Sequence, residues 1–101
     1  MKATQMKTNG GNPAPHQFIL EDKAGTLYFQ SYDTIIARLQ LTGTAPSPQG
    51  GSINGTTYLD EHYWDYSATT GKYRNQFLGE GIAETRAKIE SGEYILMDLN
   101  S

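Results

Sequence analysis

The stretch Tyr63–Leu78 constrains the fold most strongly, because it contains the clearest helix start in the chain. Ser67 and Thr70 are both favoured N-cap residues, since their side-chain oxygens accept a hydrogen bond from a free N–H of the first helical turn. Gly79 follows at the position where helices commonly end in a left-handed residue. The pattern therefore predicts a short helix that begins after Ser67 or Thr70 and ends at Gly79.

Four aromatic side chains of the same stretch are predicted to belong to the core. Tyr73 and Phe77 lie four residues apart, on one face of the predicted helix. Trp64, the only tryptophan, and Tyr66 occupy alternate positions of a segment that we expect to be extended, so they point to the same side. Rings of this size supply much of the buried area of a small domain.

The stretch is also the candidate binding surface. Aromatic rings beside Lys72 and Arg74, which we expect on or near the open face of the helix, form the mixture that protein interfaces favour. The predicted surface consists of aromatic, hydroxyl and cationic side chains: Trp64, Tyr66, Ser67, Thr69, Thr70, Lys72, Tyr73 and Arg74. Burial of the rings is compatible with exposure of their polar edges, so both predictions stand together.

Three segments carry a resemblance to a known family. They are Tyr58-Leu59-Asp60, the run from Trp64 to Tyr73, and Phe77-Leu78, and the upstream Ser31-Tyr32-Asp33-Thr34-Ile35-Ile36-Ala37 is similar as well. The pattern resembles an uncharacterised family of small phage and plasmid accessory proteins with the signature YLD…W-x-YS-x-TT-x-[KH]…FL. The resemblance covers residues 28–80. It implies an accessory protein of a mobile element and brings no catalytic residues with it.

Strand and helix patterns on both sides of this stretch indicate the fold class. Short runs of aromatic and branched residues predict strands at 17–21, 26–30, 34–41, 56–60 and 93–99. Asp22 and Gly25 suit a hairpin turn between the first two strands. Thr34–Leu41 also fits a helical period, so a helix is the alternative there. With a second helix at 81–91, we predict an α+β fold: a mainly antiparallel sheet of about five strands with two short helices on one face.

The composition changes along the chain, and these changes predict its domain organisation. Residues 1–16 are polar and rich in Asn, Gly and Pro, so we expect a flexible tail. Residues 17–101 are predicted to form a single α+β domain. Within it, residues 42–55 are rich in Pro and Gly and are expected to form a flexible loop.

The overall composition bears on partners and on compartment. The chain has 101 residues, no cysteine and a net charge of −3. The lack of cysteine excludes disulfides and fits a reducing compartment. Neither a signal peptide nor a membrane-spanning run is recognisable, so we expect the bacterial host's cytoplasm and no membrane partner. The acidic balance disfavours nucleic acid as a partner. No pattern specifies an oligomeric state.

No constellation in the sequence identifies a reaction. His16 and His62 are the only imidazoles, and His62 with its acidic neighbours is a weak metal motif because neighbouring strand residues point to opposite faces. No phosphate-binding loop or dinucleotide fingerprint occurs. We therefore predict no enzyme, no cofactor, and no catalytic, cofactor-binding or metal-ligating residues.

Three functional hypotheses follow. The first is a non-enzymatic phage or mobile-element protein that binds a host protein, with a host defence system such as CRISPR as the target by analogy with other small phage proteins. The second is binding of single-stranded nucleic acid, by stacking of bases on aromatic rings beside cations: Tyr28, Tyr58, Trp64, Tyr66, Arg38, Lys72 and Arg74. The third is binding of a nucleotide-like small molecule by the Tyr/Thr/Ser-rich patch, in a cleft between protomers of an oligomer. Its support is the helix start at Thr70-Gly71-Lys72, where free N–H groups can meet an anion.

Overall fold

The protein was analysed as a computed structural model, which describes residues 1–41 and 55–100. This part of the chain contains one six-stranded sheet and two helices. In chain order the elements are β1 (Lys2–Lys7), β2 (Pro13–Glu21), β3 (Leu27–Ser31), β4 (Thr34–Leu41), β5 (Gly55–Asp60), α1 (Ala68–Leu78), α2 (Ile82–Ser91) and β6 (Tyr94–Met97).

The strands lie in the sheet in the same order as in the chain, from β1 to β6. Each pair from β1 to β5 is antiparallel, whereas β5 and β6 are parallel. A parallel pair needs a long crossover connection, and α1 and α2 provide it. The α+β class and the mainly antiparallel sheet are confirmed, with one strand more than predicted.

The turn between β2 and β3 forms as its residues predict. The Asp22 carboxylate accepts hydrogen bonds from the backbone N–H groups of Ala24 and Thr26, at 2.9 and 3.0 Å. Gly25 has a φ of 86°, a conformation that glycine adopts without steric cost. These contacts lie within five residues, so the sequence is sufficient to specify them.

The core lies between the sheet and the two helices. Phe29, Ala37 and Leu59 are register neighbours on β3, β4 and β5, and all three are fully buried. On α1, the Phe77 ring stacks against Phe29 with ring centroids 5.9 Å apart. Because Ile89 of α2 also packs against this core, both helices lie on the same face of the sheet.

A bulge explains the ambiguous pattern of β4. The register shifts opposite Phe29 and Gln30, so Ile36 has no direct partner on β3. The extra residue places Ile36 and Ala37 in the buried layer although they are consecutive in the chain. The segment is a strand, as predicted, and the bulge interrupts the strict alternation of buried and exposed residues expected of a strand.

The prediction of a flexible tail at residues 1–16 is wrong. These residues include β1 and the start of β2, which pair with each other, and Met6 and Ala14 are buried. The Gln5 side chain also donates to the Ala14 carbonyl at 2.9 Å. Main-chain pairing with β2 orders this polar segment, and composition alone does not report such pairing. The predicted loop at 42–55 lies outside the described residues, apart from Gly55 at the start of β5.

Candidate functional site

Helix α1 begins at Ser67, one of the two predicted caps. The Thr70 backbone N–H donates to the Ser67 side-chain oxygen at 3.1 Å, and the helix ends at Gly79 with a φ of 71°. Thr70 itself is buried, and its hydroxyl lies within hydrogen-bond distance of the Ser31 hydroxyl on β3, at 3.3 Å. This contact fixes the first turn of α1 against the sheet.

Arg74 lies in the interior, so its predicted place on the open helix face is wrong. Its side chain is only 2% exposed. One guanidinium nitrogen donates to the Trp64 carbonyl at 2.7 Å and the other to the Asn75 side chain at 3.0 Å. Gly71 lies one turn before it, and a Cβ there would be 3.5 Å from the guanidinium. That distance is an ordinary van der Waals contact, and it is the hydrogen bonds that stabilise the buried cation.

Asp65 connects the two helices through one carboxylate. Its two oxygens lie 3.3 Å from Arg74 of α1 and 3.3 Å from Arg86 of α2. Together with Gly71 and Lys72, these three side chains line a groove of about 640 Å³ between the starts of the helices, which we call the basic groove. Asp65 and Arg86 were absent from the predicted surface, because only the packing of α2 beside α1 brings them together.

Trp64 and Tyr66 have different environments, although an extended segment would have placed them on one side. Residues 61–66 form turns rather than a strand, and the Trp64 N–H donates to the Asp60 carbonyl at 3.0 Å. Trp64 is partly buried against the core, and its ring lies 5.4 Å from the Arg74 guanidinium. Tyr66 is 69% exposed, so its predicted place in the core is wrong.

The predicted binding surface is thus divided between interior and solvent. Thr70, Tyr73 and Arg74 are buried. Four members of the predicted surface are exposed: Tyr66, Ser67, Thr69 and Lys72. The Lys72 ammonium lies 5.5 Å from the centre of the Tyr73 ring, so this ring packs below a surface cation.

Three exposed tyrosines form a surface that we call the tyrosine patch: Tyr32, Tyr63 and Tyr66. Tyr63 and Tyr66 meet edge to face with ring centroids 5.4 Å apart. Tyr32 and Tyr66 line a pocket of about 140 Å³, together with hydroxyl groups that include those of Ser67 and Thr70. Tyr32 comes from the β3–β4 turn, 34 residues before Tyr66, so sequence proximity did not indicate the patch.

His16 supports Tyr32 from β2. The two rings stack with centroids 4.7 Å apart, and the Tyr32 N–H donates to the His16 carbonyl at 2.7 Å. Both residues have left-handed backbone conformations, with φ of 65° at His16 and 57° at Tyr32. These two left-handed residues lie next to each other in space, and the His16 ring stacks on the Tyr32 ring at the edge of the patch.

A largely buried polar cluster around Glu80 lies between α2 and β6. Burial alone would raise the pKa of Glu80, but hydrogen bonds from Lys88, Thr85 and Tyr94, each 2.7 Å long, outweigh it and lower the pKa. Burial and the contact with Glu80 raise the pKa of Tyr94 to about 12. The hydrogen bond to Glu80 also raises the pKa of Lys88. The cluster joins α2 to β6, and these polar groups form hydrogen bonds with one another.

A protein-family model matches residues 1–95 of the chain. The chain belongs to this family, DUF8033, a family of unknown function. No curated protein and no solved structure matches the chain. The DUF8033 match is longer than the resemblance seen in residues 28–80, and it includes β1, which had been predicted as a tail outside the family pattern.

The described residues of this DUF8033 chain were searched for metal-ligating groups and for membrane-spanning helices. In that part of the molecule, no group of three His, Asp or Glu side chains is arranged to hold a metal ion. Neither α1 nor α2 is long and apolar enough to span a bilayer. The described surface also includes the tyrosine patch, the basic groove and the sheet face opposite the helices.

Proposed function

We propose that this protein is a non-enzymatic accessory protein of a phage or other mobile element, and that it binds a host protein through the tyrosine patch. The observation that carries the binding surface is the exposure of three neighbouring rings: 69% at Tyr66, 56% at Tyr32 and 37% at Tyr63. The mobile-element origin rests on the resemblance of the central stretch. A host defence component is the expected target by analogy with small phage proteins.

Tyrosine is well suited to recognition of a protein surface. Its ring supplies a large contact area at low cost in side-chain entropy, and its hydroxyl keeps a hydrogen-bonding group at the rim. A group of exposed aromatic rings on a small domain is also unfavourable in water unless a partner covers it. The patch therefore has the composition from which strong interface contacts are usually made.

The backbone beneath Tyr32 supports the same proposal. Left-handed conformations at residues other than glycine cost on the order of 1–3 kcal/mol each and are concentrated at functional sites. Two such conformations, at His16 and Tyr32, lie next to each other in space, and the His16 ring stacks against the exposed Tyr32 ring.

Single-stranded nucleic acid is the second candidate, and a specific arrangement favours it. Tyr28, Arg38 and Tyr58 are register neighbours on the sheet face opposite the helices. The Arg38 guanidinium lies 4.4 Å from the centre of the Tyr58 ring. Stacking of bases on such a row is a known mode of binding. The net charge of −3 opposes it.

The two candidates are separated by matched tyrosine variants. The tagged chain and its Tyr66→Ala and Tyr58→Ala variants would be used to capture partners from a bacterial host, after thermal melts show that all three fold. The captured protein would then be purified and its affinity for each variant measured. We expect Tyr66→Ala to weaken binding by at least about tenfold, as for a central interface tyrosine, and Tyr58→Ala to leave it unchanged.

Two results would contradict the proposal. One is a captured protein whose affinity is unaffected by Tyr66→Ala. The other is a nuclease-sensitive capture that Tyr58→Ala abolishes, which would establish the nucleic-acid hypothesis instead. Stabilisation by nucleotides in a thermal-shift assay, in the absence of any protein partner, would favour the small-molecule hypothesis.

A further inference from the structure

We infer that the basic groove binds carboxylate groups from an acidic segment of the partner protein. This inference rests on the proposed function and names the chemistry of the partner. It starts from the charges in the groove. Lys72, Arg74 and Arg86 line it with three cationic groups, whereas Asp65 is its one acidic lining residue.

The single carboxylate of Asp65 compensates this charge incompletely. It is shared between Arg74 and Arg86, and each contact is 3.3 Å long. Strong charge-assisted contacts between nitrogen and oxygen are about 2.7–2.9 Å long. The Arg86 side chain is 63% exposed, so it is free to turn towards a second carboxylate.

Arg74 provides an independent indication, because it is buried and only partly paired. Its Nε atom is inaccessible to solvent and has no hydrogen-bond partner. A buried cation without full compensation is costly, and an anion nearby offsets that cost. Arg74 lies in the lining of the groove, so an anion bound there would be close to this charge.

The start of α2 adds to the positive potential. Its N-cap is Gly81, which has no side chain to accept from the first-turn N–H groups, and Ile82 of that turn lines the groove. Helix N-termini attract anions through their free N–H groups and the helix dipole. Glu84 also lies in this first turn, but it is not part of the groove lining.

The groove is continuous with the tyrosine patch. Ser67 lines both the basic groove and the small hydroxyl pocket, and its neighbour Tyr66 belongs to the patch. A segment that crosses Tyr66 therefore comes next to the groove that the three cations line. Because these cations adjoin the patch rather than the Tyr28–Tyr58 row, an acidic protein segment fits the arrangement better than a nucleic acid.

The test uses the full chain, labelled with ¹⁵N and observed by NMR. The probes are a hexaglutamate peptide, a hexaglutamine peptide, inorganic phosphate and an oligothymidine strand. We expect hexaglutamate to shift the amide signals of Gly71 and Ile82 and the Arg74 Nε–H signal, and hexaglutamine to shift none of them. Arg86→Ala and Lys72→Ala should each weaken hexaglutamate binding about tenfold, the effect of losing a charge-assisted contact. The control is Lys23→Ala, an exposed cation in the β2–β3 turn.

Three outcomes would overturn the inference. In the first, hexaglutamate leaves the groove signals unchanged. In the second, its effect survives both Arg86→Ala and Lys72→Ala or is lost equally with Lys23→Ala. In the third, phosphate or oligothymidine binds the groove more tightly than hexaglutamate. Failure of this inference is distinguishable from failure of the proposed function, because the proposed function depends on capture of a partner through Tyr66. A partner that is lost with Tyr66→Ala but still captured by Arg86→Ala would support the tyrosine patch and exclude the basic groove.

Discussion

The Asn100 side chain donates a hydrogen bond of 3.0 Å to the carboxylate of Asp60, 40 residues earlier in the chain. Asp60 is fully buried, and it also accepts from the backbone N–H groups of His62, Tyr63 and Leu99, at 3.1, 2.9 and 2.8 Å. One carboxylate thus orders both the turn that carries Tyr63 and the end of the chain. The position of the tyrosine patch depends on this buried group.

The first prediction concerns Asp60→Asn. The amide keeps the size of the carboxylate but replaces one acceptor oxygen with a donor that faces buried N–H groups. We expect the free energy of unfolding to fall by about 2 kcal/mol, as for an unsatisfied buried polar group. Urea denaturation measures this change. Asp33→Asn, in the exposed β3–β4 turn, is the control, and equal stability of the two variants would disprove the role of Asp60.

The second prediction concerns the cap of α1. Ser67→Ala removes the oxygen that accepts from the Thr70 N–H, so we expect a loss of about 1 kcal/mol. Thr69→Ala is a matched control, because Thr69 is exposed in the first turn and does not cap the helix. Thermal melts of both variants provide the comparison. A Thr69→Ala variant less stable than Ser67→Ala would contradict the assignment of the cap.

The third prediction concerns Arg74, which the sequence placed on the surface. Arg74→Ala leaves the Trp64 carbonyl without its donor and opens space below the Trp64 ring, so we expect a loss of about 2 kcal/mol. The exposed neighbour Lys72 offers the contrast, since Lys72→Ala should change stability by less than about 0.5 kcal/mol. Chemical denaturation followed by Trp64 fluorescence reports on both. If Arg74→Ala proved as stable as the wild type, Arg74 would not contribute to the core.

The fourth prediction concerns pH and the Glu80 cluster. Because the folded pKa of Glu80 lies below its ordinary value of 4.5, its contribution to stability is present above pH 4.5 and is lost as the pH falls through the folded pKa. The pKa of Tyr94 is raised from 10.0 to about 12, so its contribution is present below pH 10 and is lost as the pH rises towards 12.

Two variants test these opposite pH dependences of stability. The stability difference between wild type and Glu80→Gln should shrink as the pH falls from 5 to 3. The difference between wild type and Tyr94→Phe should shrink as the pH rises from 10 to 12. Urea denaturation across both ranges measures the two differences. Differences that stay constant with pH would show that the cluster does not stabilise the fold through these ionisations.

The helices were predicted more accurately than the surface that they carry. Ser67 and Gly79 mark the ends of α1, as their capping preferences indicate, and Asp22 and Gly25 form the β2–β3 turn. Arg74 is the opposite case, because no local pattern distinguishes a buried arginine from an exposed one. Its burial depends on an acceptor at Trp64, ten residues earlier.

The sequence by itself determined the elements whose hydrogen bonds close within a few residues: the turn between β2 and β3 and the two ends of α1. Tertiary structure alone decided the pairing of β1 with β2, the burial of Asp60 and the placement of Tyr32 and Tyr66 around one pocket. Local backbone preferences act over one turn and are visible in neighbouring residues. Burial and surface patches depend on contacts between distant segments, so they exist only once the sheet and the helices have packed together.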